Sequence, residues 1–334
     1  MHELSIAVVG AGITGLWQAL TLARRDHRVR LVERSAAPFA DAASSYAGAM
    51  LGPFCETEPY APVVCDLGLQ SIRLWRDTFP GTIVRGTLVV AGARDQREIE
   101  HFARLTEGHE RLDGKAIAKL EPELAGRFAS GLFYAQEAHM APRPALQFLL
   151  QQAEQLGVQV AFGATWPAGR DSDETIVDCR GLGARRELPD LRGVRGERVI
   201  VRTSEISLRR PVRLLHPRHS IYVVPWADGL FMVGATVIES DDGGPISVRS
   251  ALELLGAAYA LHPAFGEAEI VEAGAGVRPA FSDNLPKIVV RGRTIHVNGL
   301  YRHGFLLAPA LAVAVAEYLE SGTIDDRVFT CETA

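Results

Sequence analysis

The chain of 334 residues is longer than one ordinary domain and long enough to bury one sizeable core or two. Its net charge of −5 and its pI near 6.1 give no electrostatic case for a nucleic-acid partner. A hydrophobic fraction of 47% is typical of a soluble globular protein, and no stretch reaches the roughly 18 to 20 uninterrupted apolar residues of a membrane span.

The four cysteines, Cys55, Cys65, Cys179 and Cys331, are widely spaced and form no CxxC pair. This spacing argues against a disulfide framework and against a zinc site. It favours a reducing, cytoplasmic compartment, and we predict that the protein binds no metal.

The first 34 residues predict a compact strand–helix–strand unit. The apolar run at 6–9 predicts a buried strand, Leu16, Leu20 and Ala23 recur at helical spacing, and 29–32 is a second apolar run.

Helices and short strands alternate in the next part of the sequence. Amphipathic spacing predicts helices at 64–78 and 95–107, and the segment between them, 82–92, is predicted to form a hairpin. Residues 145–162 predict a helix that stops at Gly157 and is followed by a strand.

The second half of the sequence predicts an antiparallel sheet, because apolar and polar residues alternate with a period of two between 197 and 239. A strand at 175–184 precedes this region, a helix at 251–261 follows it, and the sequence ends in a strand, a glycine loop and a long apolar helix. Parallel-type units at both ends flank the antiparallel middle. The pattern therefore predicts an α/β fold of two domains that interleave in sequence.

Gly10, Gly12 and Gly15 form a G-x-G-x-x-G pattern between the first strand and the first helix. The first glycine allows a tight turn, the second lets the backbone approach a pyrophosphate, and the third lets helix and strand pack closely. Glu33 ends the next strand, 18 residues after Gly15, where its carboxylate can accept hydrogen bonds from ribose hydroxyls. The pattern predicts a dinucleotide site, with an ordinary structural turn as the alternative.

The C-terminal part of the sequence favours FAD over NAD as the dinucleotide. Gly304 and Phe305 stand directly before the last apolar helix. The N-terminus of that helix can face the flavin pyrimidine, where its partial positive charge stabilises electron density on the reduced ring.

Seven segments resemble motifs of one known family, and they follow one another in the same order: GAGITG, AGAML, LEPEL, DCRGLGA, YVVPW with VGAT, GVRPAFSDNLP and YRHGFLLAP. The sequence is similar over essentially its whole length to the D-amino-acid oxidase family of flavoproteins, and within it to the glycine oxidases of thiamine biosynthesis. The resemblance implies a Rossmann-like FAD-binding domain of the glutathione-reductase type, interleaved with an antiparallel-sheet substrate domain. We expect the FAD-binding domain at 1–50, 142–192 and 273–334, and the substrate-binding domain at 51–141 and 193–272.

The resemblance also implies noncovalent FAD and the oxidation of a small amino acid, with hydride transfer from its α-carbon to flavin N5. Oxygen then reoxidises the flavin, and hydrogen peroxide is released. No cysteine lies near 276–286 or in the glycine loops, so a covalent flavin is not expected. The partners implied are the amino acid and oxygen, with no nucleic acid and no membrane span. The sequence leaves open whether the protein is a homo-oligomer.

Three residues carry the substrate chemistry that the resemblance implies. Arg278 matches the family's arginine that pairs with the substrate carboxylate. Tyr222 matches the tyrosine whose hydroxyl helps to hold that carboxylate, and Arg302 belongs to the loop beside the flavin. The alternatives are an ion pair of Arg278 with Asp283, an ordinary sheet tyrosine, and an arginine that only braces the loop. No side chain stands out as a general base, and we predict that positioning and the flavin's electronics suffice.

The resemblance and the glycine pattern together assign a larger set of residues to the cofactor. The segment at 47–50 reads A-G-A-M where the family more often has A-A-G-M. For His303 the alternative to a cofactor contact is a purely structural role. The set is Gly10, Gly12, Ile13, Thr14, Gly15, Glu33, Arg34, Ala47, Gly48, Ala49, Met50, Trp166, Gly181, His303, Gly304, Phe305 and Leu306.

Other functions remain open at the level of sequence. A dehydrogenase of D-amino or imino acids would keep the flavin and use another electron acceptor. An RNA-modifying flavoprotein would call for a basic face and a fused domain, and a flavin-binding protein without turnover is the remaining alternative.

Overall fold

The computed structural model describes residues 3–56, 61–166, 174–217 and 220–332. In this part of the protein the helices are α1 (Ile13–Ala23), α2 (Pro62–Thr78), α3 (Gln96–Leu105), α4 (Gly114–Leu120), α5 (Pro142–Gln155), α6 (Val248–Leu261) and α7 (Gly304–Ser321). The strands are β1 (Ser5–Val9), β2 (Arg28–Glu33), β3 (Met50–Leu51), β4 (Ile83–Val84), β5 (Thr87–Ala91), β6 (Glu110–Asp113), β7 (Ser130–Tyr134), β8 (Ala138–His139), β9 (Gln159–Phe162), β10 (Thr175–Asp178), β11 (Arg192–Arg202), β12 (Val212–Leu215), β13 (Ile221–Pro225), β14 (Leu230–Gly234), β15 (Ile238–Glu239), β16 (Glu269–Ala280), β17 (Lys287–Arg291), β18 (Thr294–Asn298) and β19 (Phe329–Glu332).

The first sheet joins the N-terminal and C-terminal parts of the protein. Its strand order is β19-β17-β18-β10-β1-β2-β9, and its pairs are parallel except for β17 with β18. Ile6, Val8 and Leu31 are fully buried in it, as expected for parallel strands covered on both faces. The apolar runs that predicted a parallel unit are therefore its central strands.

The helices against this sheet are packed around two tryptophans. The rings of Trp17 on α1 and Trp75 on α2 meet edge to face, with centroids 4.9 Å apart. The Trp75 ring also stacks on Phe305 of α7, and its indole N–H donates to the Phe305 carbonyl at 2.7 Å. This contact ties the start of α7 to α2 and thereby fixes where the helix begins.

The second sheet has the order β15-β11-β14-β13-β12-β5-β7-β6, with β16 also paired to β11. Its pairs are antiparallel except for β12 with β5, so the predicted α/β fold with an antiparallel middle is confirmed. Strand β16 belongs to this sheet, although the expected boundary at 273 divides it. The domain boundaries themselves stay a prediction.

The predicted hairpin at 82–92 is wrong. Strand β4 pairs with β8 in a small third sheet, whereas β5 lies between β12 and β7 in the second sheet. Gly86, with a φ of +75°, turns the backbone between the two strands. Because β5 is buried along its whole length, its partners are chosen by the core and not by the neighbouring strand in sequence.

Helix α7 is, by length and composition alone, apolar enough to cross a membrane. Within the described residues 56% of it is buried, and its apolar side chains belong to the same core as those of α1 and α2. A buried core helix passes the same test, so the composition of α7 is weak evidence for a membrane span.

Candidate active site

A cavity of about 730 Å³ runs from the carboxyl ends of β1 and β2 to strands β13 and β16 of the second sheet. Its volume lies within the range of cofactor and ligand sites. Seventeen of the twenty residues predicted for cofactor and substrate line it: Gly10, Gly12, Ile13, Thr14, Glu33, Arg34, Ala47, Gly48, Ala49, Met50, Trp166, Gly181, Tyr222, Arg278, Arg302, Gly304 and Phe305.

Three of the predicted residues do not line this cavity. Gly15 packs against the turn instead, because a Cβ on it would stand 1.8 Å from the Gly10 carbonyl oxygen. Leu306 is buried in the core beside Gly68. His303 is buried at the N-cap of α7, where its backbone N–H donates to Leu300 O at 2.8 Å.

At one end of the cavity the backbone of the glycine turn is open to a ligand. Gly12 caps α1 without a side-chain hydrogen bond, and a Cβ on it would meet only Ser44 Oγ, at 3.6 Å. The Glu33 carboxylate accepts from the N–H of Ala11 at 2.7 Å and of Ser35 at 2.9 Å. The Ile13 N–H donates to Ser44 Oγ at 3.3 Å. The positive end of the α1 dipole beside a carboxylate suits the pyrophosphate and ribose of a dinucleotide.

Relative to the family's A-A-G-M, glycine and alanine are exchanged at positions 48 and 49. The glycine at 48 has a structural reason, and the alanine at 49 has a conformational cost. A Cβ on Gly48 would stand 2.0 Å from Met232 Cε and 3.1 Å from the Tyr222 ring, so Gly48 allows the loop to pack against β13 and β14. Ala49 has a φ of +50°, in the left-handed region that favours glycine. The family's alanine at position 48 would require Met232 to shift its terminal methyl, and the family's glycine would relax position 49.

Arg278 is held by the pairing of β16 with β11. Arg278 lies opposite Val194, and Gly196 is its diagonal neighbour on the same face of the sheet. A Cβ on Gly196 would stand 1.9 Å from Arg278 Nη2, so the guanidinium lies over the bare backbone of this glycine. Arg278 Nη1 donates to Thr236 O at 3.2 Å. Gly196 was absent from the sequence prediction, although a lone glycine inside a strand signals such a close approach.

The alternative partner of Arg278 is engaged elsewhere. Asp283 forms its ion pair with Lys287, at 3.3 Å. Among the residues that the structure describes, no carboxylate lies within ion-pair distance of Arg278. Burial lowers the pKa of Arg278, which still leaves an arginine charged near neutral pH. The cavity therefore presents a cation that is open to an anionic ligand.

Glu56 is a further charged residue of the cavity that sequence reasoning missed. Arg302 Nη2 donates to Glu56 Oε1 at 2.6 Å, and Arg213 Nη1 lies 3.7 Å from the same oxygen. Burial raises the pKa of Glu56, but Arg302 and Arg213 outweigh burial, and the net pKa lies below the ordinary value. No motif marks this carboxylate, because its arginine partners lie more than 150 residues away in sequence.

A second buried carboxylate holds the turn that carries Glu56. Glu137 Oε1 accepts from the N–H of Phe54 at 3.0 Å and of Cys55 at 2.7 Å. Arg213 Nη1 donates to the Cys55 carbonyl at 2.6 Å from the other side. Burial raises the pKa of Glu137 to about 7.

Comparison with known proteins identifies the same family. Residues 5–318 match the family model described as DAO, FAD dependent oxidoreductase. The sequence is 55% identical over 317 residues to a protein of Rhizobium etli named as a thiamine biosynthesis oxidoreductase, ThiO, and the match covers 96% of the relative and 95% of this chain. It is 26% identical to the glycine oxidase of Geobacillus kaustophilus, over 93% of the relative and 96% of this chain.

Solved structures show the same fold. The crystal structure of the glycine oxidase from Geobacillus kaustophilus matches with a TM-score of 0.83 and 24% identity, with both proteins covered completely. That of an iminodiacetate oxidase from Chelativorans matches with a TM-score of 0.79 and 20% identity, over 100% of that protein and 98% of this one.

We expect the substitution Gly196→Ala to weaken anion binding at Arg278 without loss of the fold. The new methyl group would overlap the guanidinium, which must then leave its place above the strand. Titration of the FAD-loaded protein with acetate, followed by the flavin absorption spectrum, should show a dissociation constant about 10-fold higher or more. Gly256→Ala on α6, where a Cβ meets no neighbouring atom, is the matched control and should bind acetate normally. Unchanged binding by Gly196→Ala would contradict the proposed close contact.

The raised pKa of Glu137 predicts a particular pH dependence of stability. Between the ordinary value of 4.5 and about 7 the folded protein binds more protons at this site than the unfolded protein. The free energy of unfolding therefore falls as pH rises through this window, and Glu137→Gln should abolish this contribution. Relative to the unsubstituted protein, the variant should gain roughly 3 kcal/mol between pH 4 and pH 8. Urea unfolding with excess FAD measures the gain.

The exposed Glu100, paired with Arg111 at 2.6 Å, provides the control for this measurement. Glu100→Gln should show no such gain, because the hydrogen bond from Arg111 holds the pKa of the Glu100 carboxyl below its ordinary value. If the free energies of unfolding of Glu137→Gln and the unsubstituted protein change in parallel with pH, the pKa of Glu137 is not raised in the folded protein.

Proposed function

The chain belongs to the DAO family of FAD-dependent oxidoreductases, and from this membership we propose that it oxidises glycine or a similar small amino acid at the α-carbon. The products are the imine, which hydrolyses to the oxo acid, and hydrogen peroxide. The names of two relatives, a glycine oxidase and a thiamine biosynthesis oxidoreductase, support this substrate class and a role in thiamine biosynthesis.

The observation that carries the proposal is the guanidinium of Arg278 in the cavity beside Tyr222, which has no carboxylate partner among the described residues. Arginine offers two parallel donors to the two oxygens of a carboxylate, in a geometry that a lysine cannot reproduce. Tyr222 is buried, and burial, followed by the charge of Glu56, raises the pKa of its hydroxyl. The hydroxyl is therefore a neutral donor for the same carboxylate. Together the two side chains fix the orientation of the α-carbon.

The cofactor site fits FAD at both ends. Gly10, Gly12 and Glu33 would hold the pyrophosphate and ribose, and the N-terminus of α7 at Gly304 would face the flavin. When bound, the flavin accepts a hydride at N5 from the substrate α-carbon and passes both electrons to oxygen. We propose that FAD is noncovalent, because Cys179 lies at the glycine turn, beside Gly15, and not at the flavin end of the cavity.

The protein contributes orientation of the substrate and exclusion of water to the reaction, and it supplies no general base. The substrate nitrogen must be neutral before hydride leaves. The pKa of Glu56 is lowered, so its carboxylate is a weak acceptor for that proton. His303 does not line the cavity, and burial lowers its pKa to about 4. The ammonium proton is therefore released to water as the substrate binds. Holding the α-carbon in a fixed, dry geometry supplies much of the rate.

We also propose the division into an FAD-binding and a substrate-binding domain. The segregation of the first and second sheets supports it. A cytoplasmic location is supported by four free cysteines, of which Cys55 and Cys179 are buried.

Anaerobic mixing of the FAD-loaded protein with glycine, sarcosine and D-alanine tests the proposed activity. At least one of them should bleach the flavin absorption, and readmission of air should restore it with release of hydrogen peroxide. Bleaching without oxygen consumption would make the protein a dehydrogenase. If no small amino or imino acid bleaches the flavin, the proposed activity fails.

The variant Arg278→Leu should raise the KM for the amino acid by about 100-fold or more, because a paired and charged hydrogen-bond donor is lost. FAD should remain bound. Arg278→Lys should recover little of the loss, since a point charge cannot form two parallel hydrogen bonds. Arg111→Leu, which removes an exposed arginine of β6, is the control and should leave the KM unchanged. If Arg278→Leu leaves the KM unchanged, Arg278 does not bind the substrate carboxylate and its role is structural.

A further inference from the structure

We propose that Glu56 is a specificity-determining residue: by neutralising Arg302 it restricts the site to amino acids with a single carboxylate and excludes substrates with a second anionic group. This inference rests on the proposed function, because it defines the substrate class of the same cavity. It goes beyond that function, since it assigns a role to a residue that no motif indicates.

Glu56 and Arg302 form an ion pair in the wall of the cavity. The two atoms Arg302 Nη2 and Glu56 Oε1 are 2.6 Å apart, and the side chains are 21% and 6% exposed. Arg213 Nη1 approaches the same carboxylate to 3.7 Å from outside the cavity wall. Both members of the Glu56–Arg302 pair line the cavity, together with Arg278 and Tyr222. A ligand bound at Arg278 therefore faces the pair directly.

The turn at residues 53–56 holds Glu56 in place. Glu137 accepts from two of its backbone N–H groups, and Arg213 donates to one of its carbonyls. The turn is also packed tightly against Gly52, where a Cβ would stand 3.0 Å from Cys55 Sγ and 3.2 Å from Glu56 Cγ. These contacts anchor the backbone of the turn on both sides and keep the Glu56 carboxylate within reach of Arg302.

The charges of this end of the cavity leave a single guanidinium open. Burial raises the pKa of Glu56, but Arg302 and Arg213 lower it further, so the carboxylate is ionised at neutral pH. Burial lowers the pKa of His303 to about 4 and raises that of Tyr222, so both are neutral. Arg302 is engaged by Glu56, whereas Arg278, at the same end of the cavity, has no carboxylate partner among the described residues.

A substrate with one carboxylate uses Arg278 and leaves the Glu56–Arg302 pair intact. Its amino group carries a positive charge on arrival and is attracted by the nearby carboxylate. A second carboxylate on the substrate would meet Glu56, and could reach Arg302 only by displacing it. Removal of the Glu56 charge should therefore uncover a second anion site at Arg302, without any new residue.

Binding of acetate and malonate to the FAD-loaded protein tests this inference without any need for turnover. The two ligands carry one and two carboxylates, and their dissociation constants follow from the change in the flavin absorption spectrum. In Glu56→Gln, which keeps the shape and loses the charge, malonate should gain about 10-fold or more in affinity relative to acetate. The preference of kcat/KM for sarcosine over iminodiacetate should shift in the same direction.

Two controls separate the charge of Glu56 from a general disturbance. The double variant Glu56→Gln/Arg302→Gln should lose the gain for malonate, because the uncovered guanidinium is gone. Glu121→Gln breaks another buried ion pair, with Arg210 at 2.6 Å, away from the cavity, and should leave the ratio of the two constants unchanged.

Arg302→Gln tests the same pair from the other side and does not depend on the folding of Glu56→Gln. With Glu56 now facing the cavity unneutralised by Arg302, malonate should lose about 10-fold relative to acetate. The inference is overturned if the ratio is unchanged in either single variant, or if the gain persists in the double variant. Because both ligands are inert, a failure of the proposed oxidation would show only in the turnover assay, and the binding result would stand by itself.

Discussion

The guanidinium of Arg278 lies across the bare backbone of Gly196, and the substrate end of the site depends on this contact. It exists because β16 pairs with β11 in a register that makes the two residues diagonal neighbours. A charge that would otherwise point to solvent is thereby laid along the sheet and into the cavity. The second sheet thus has a chemical role as well as a structural one, since it delivers a half-buried cation to a site whose cofactor end is built by the first sheet.

With this cation half-buried in the cavity, the other charges of the pocket must be balanced. Glu56 offsets Arg302 and Arg213, and Glu137 holds the turn of Glu56 from behind with backbone hydrogen bonds. Each of these charges has a partner, which is the condition under which buried charges are tolerated. Arg278 departs from this condition within the described residues. A half-buried arginine of a cavity without a carboxylate partner is expected where the partner is a ligand.

Small residues allow the two halves of the site to approach each other. Gly48 lets the loop before β3 lie against Tyr222 and Met232, and the strained left-handed φ falls on Ala49 beside it. Gly12 leaves room at the start of α1, and Gly15 lets that helix pack on the turn. Backbone strain at a functional loop is tolerated when the surrounding packing determines its conformation. Here that packing comes from strands of the second sheet.

The sequence by itself determined the dinucleotide turn and the α/β class with its antiparallel middle, and it predicted that Arg278, Tyr222 and Arg302 belong to one site. These follow from local spacing, from period, or from contiguous motifs such as GVRPAF. Only the tertiary structure decided that Leu306 and His303 face away from the cavity, that 82–92 is split between two sheets, and that Glu56 meets Arg302. The physical reason is that strand partners and ion pairs are chosen by burial across the fold. Glu56 and Arg302 are 246 positions apart, and no local pattern can report a contact over such a distance.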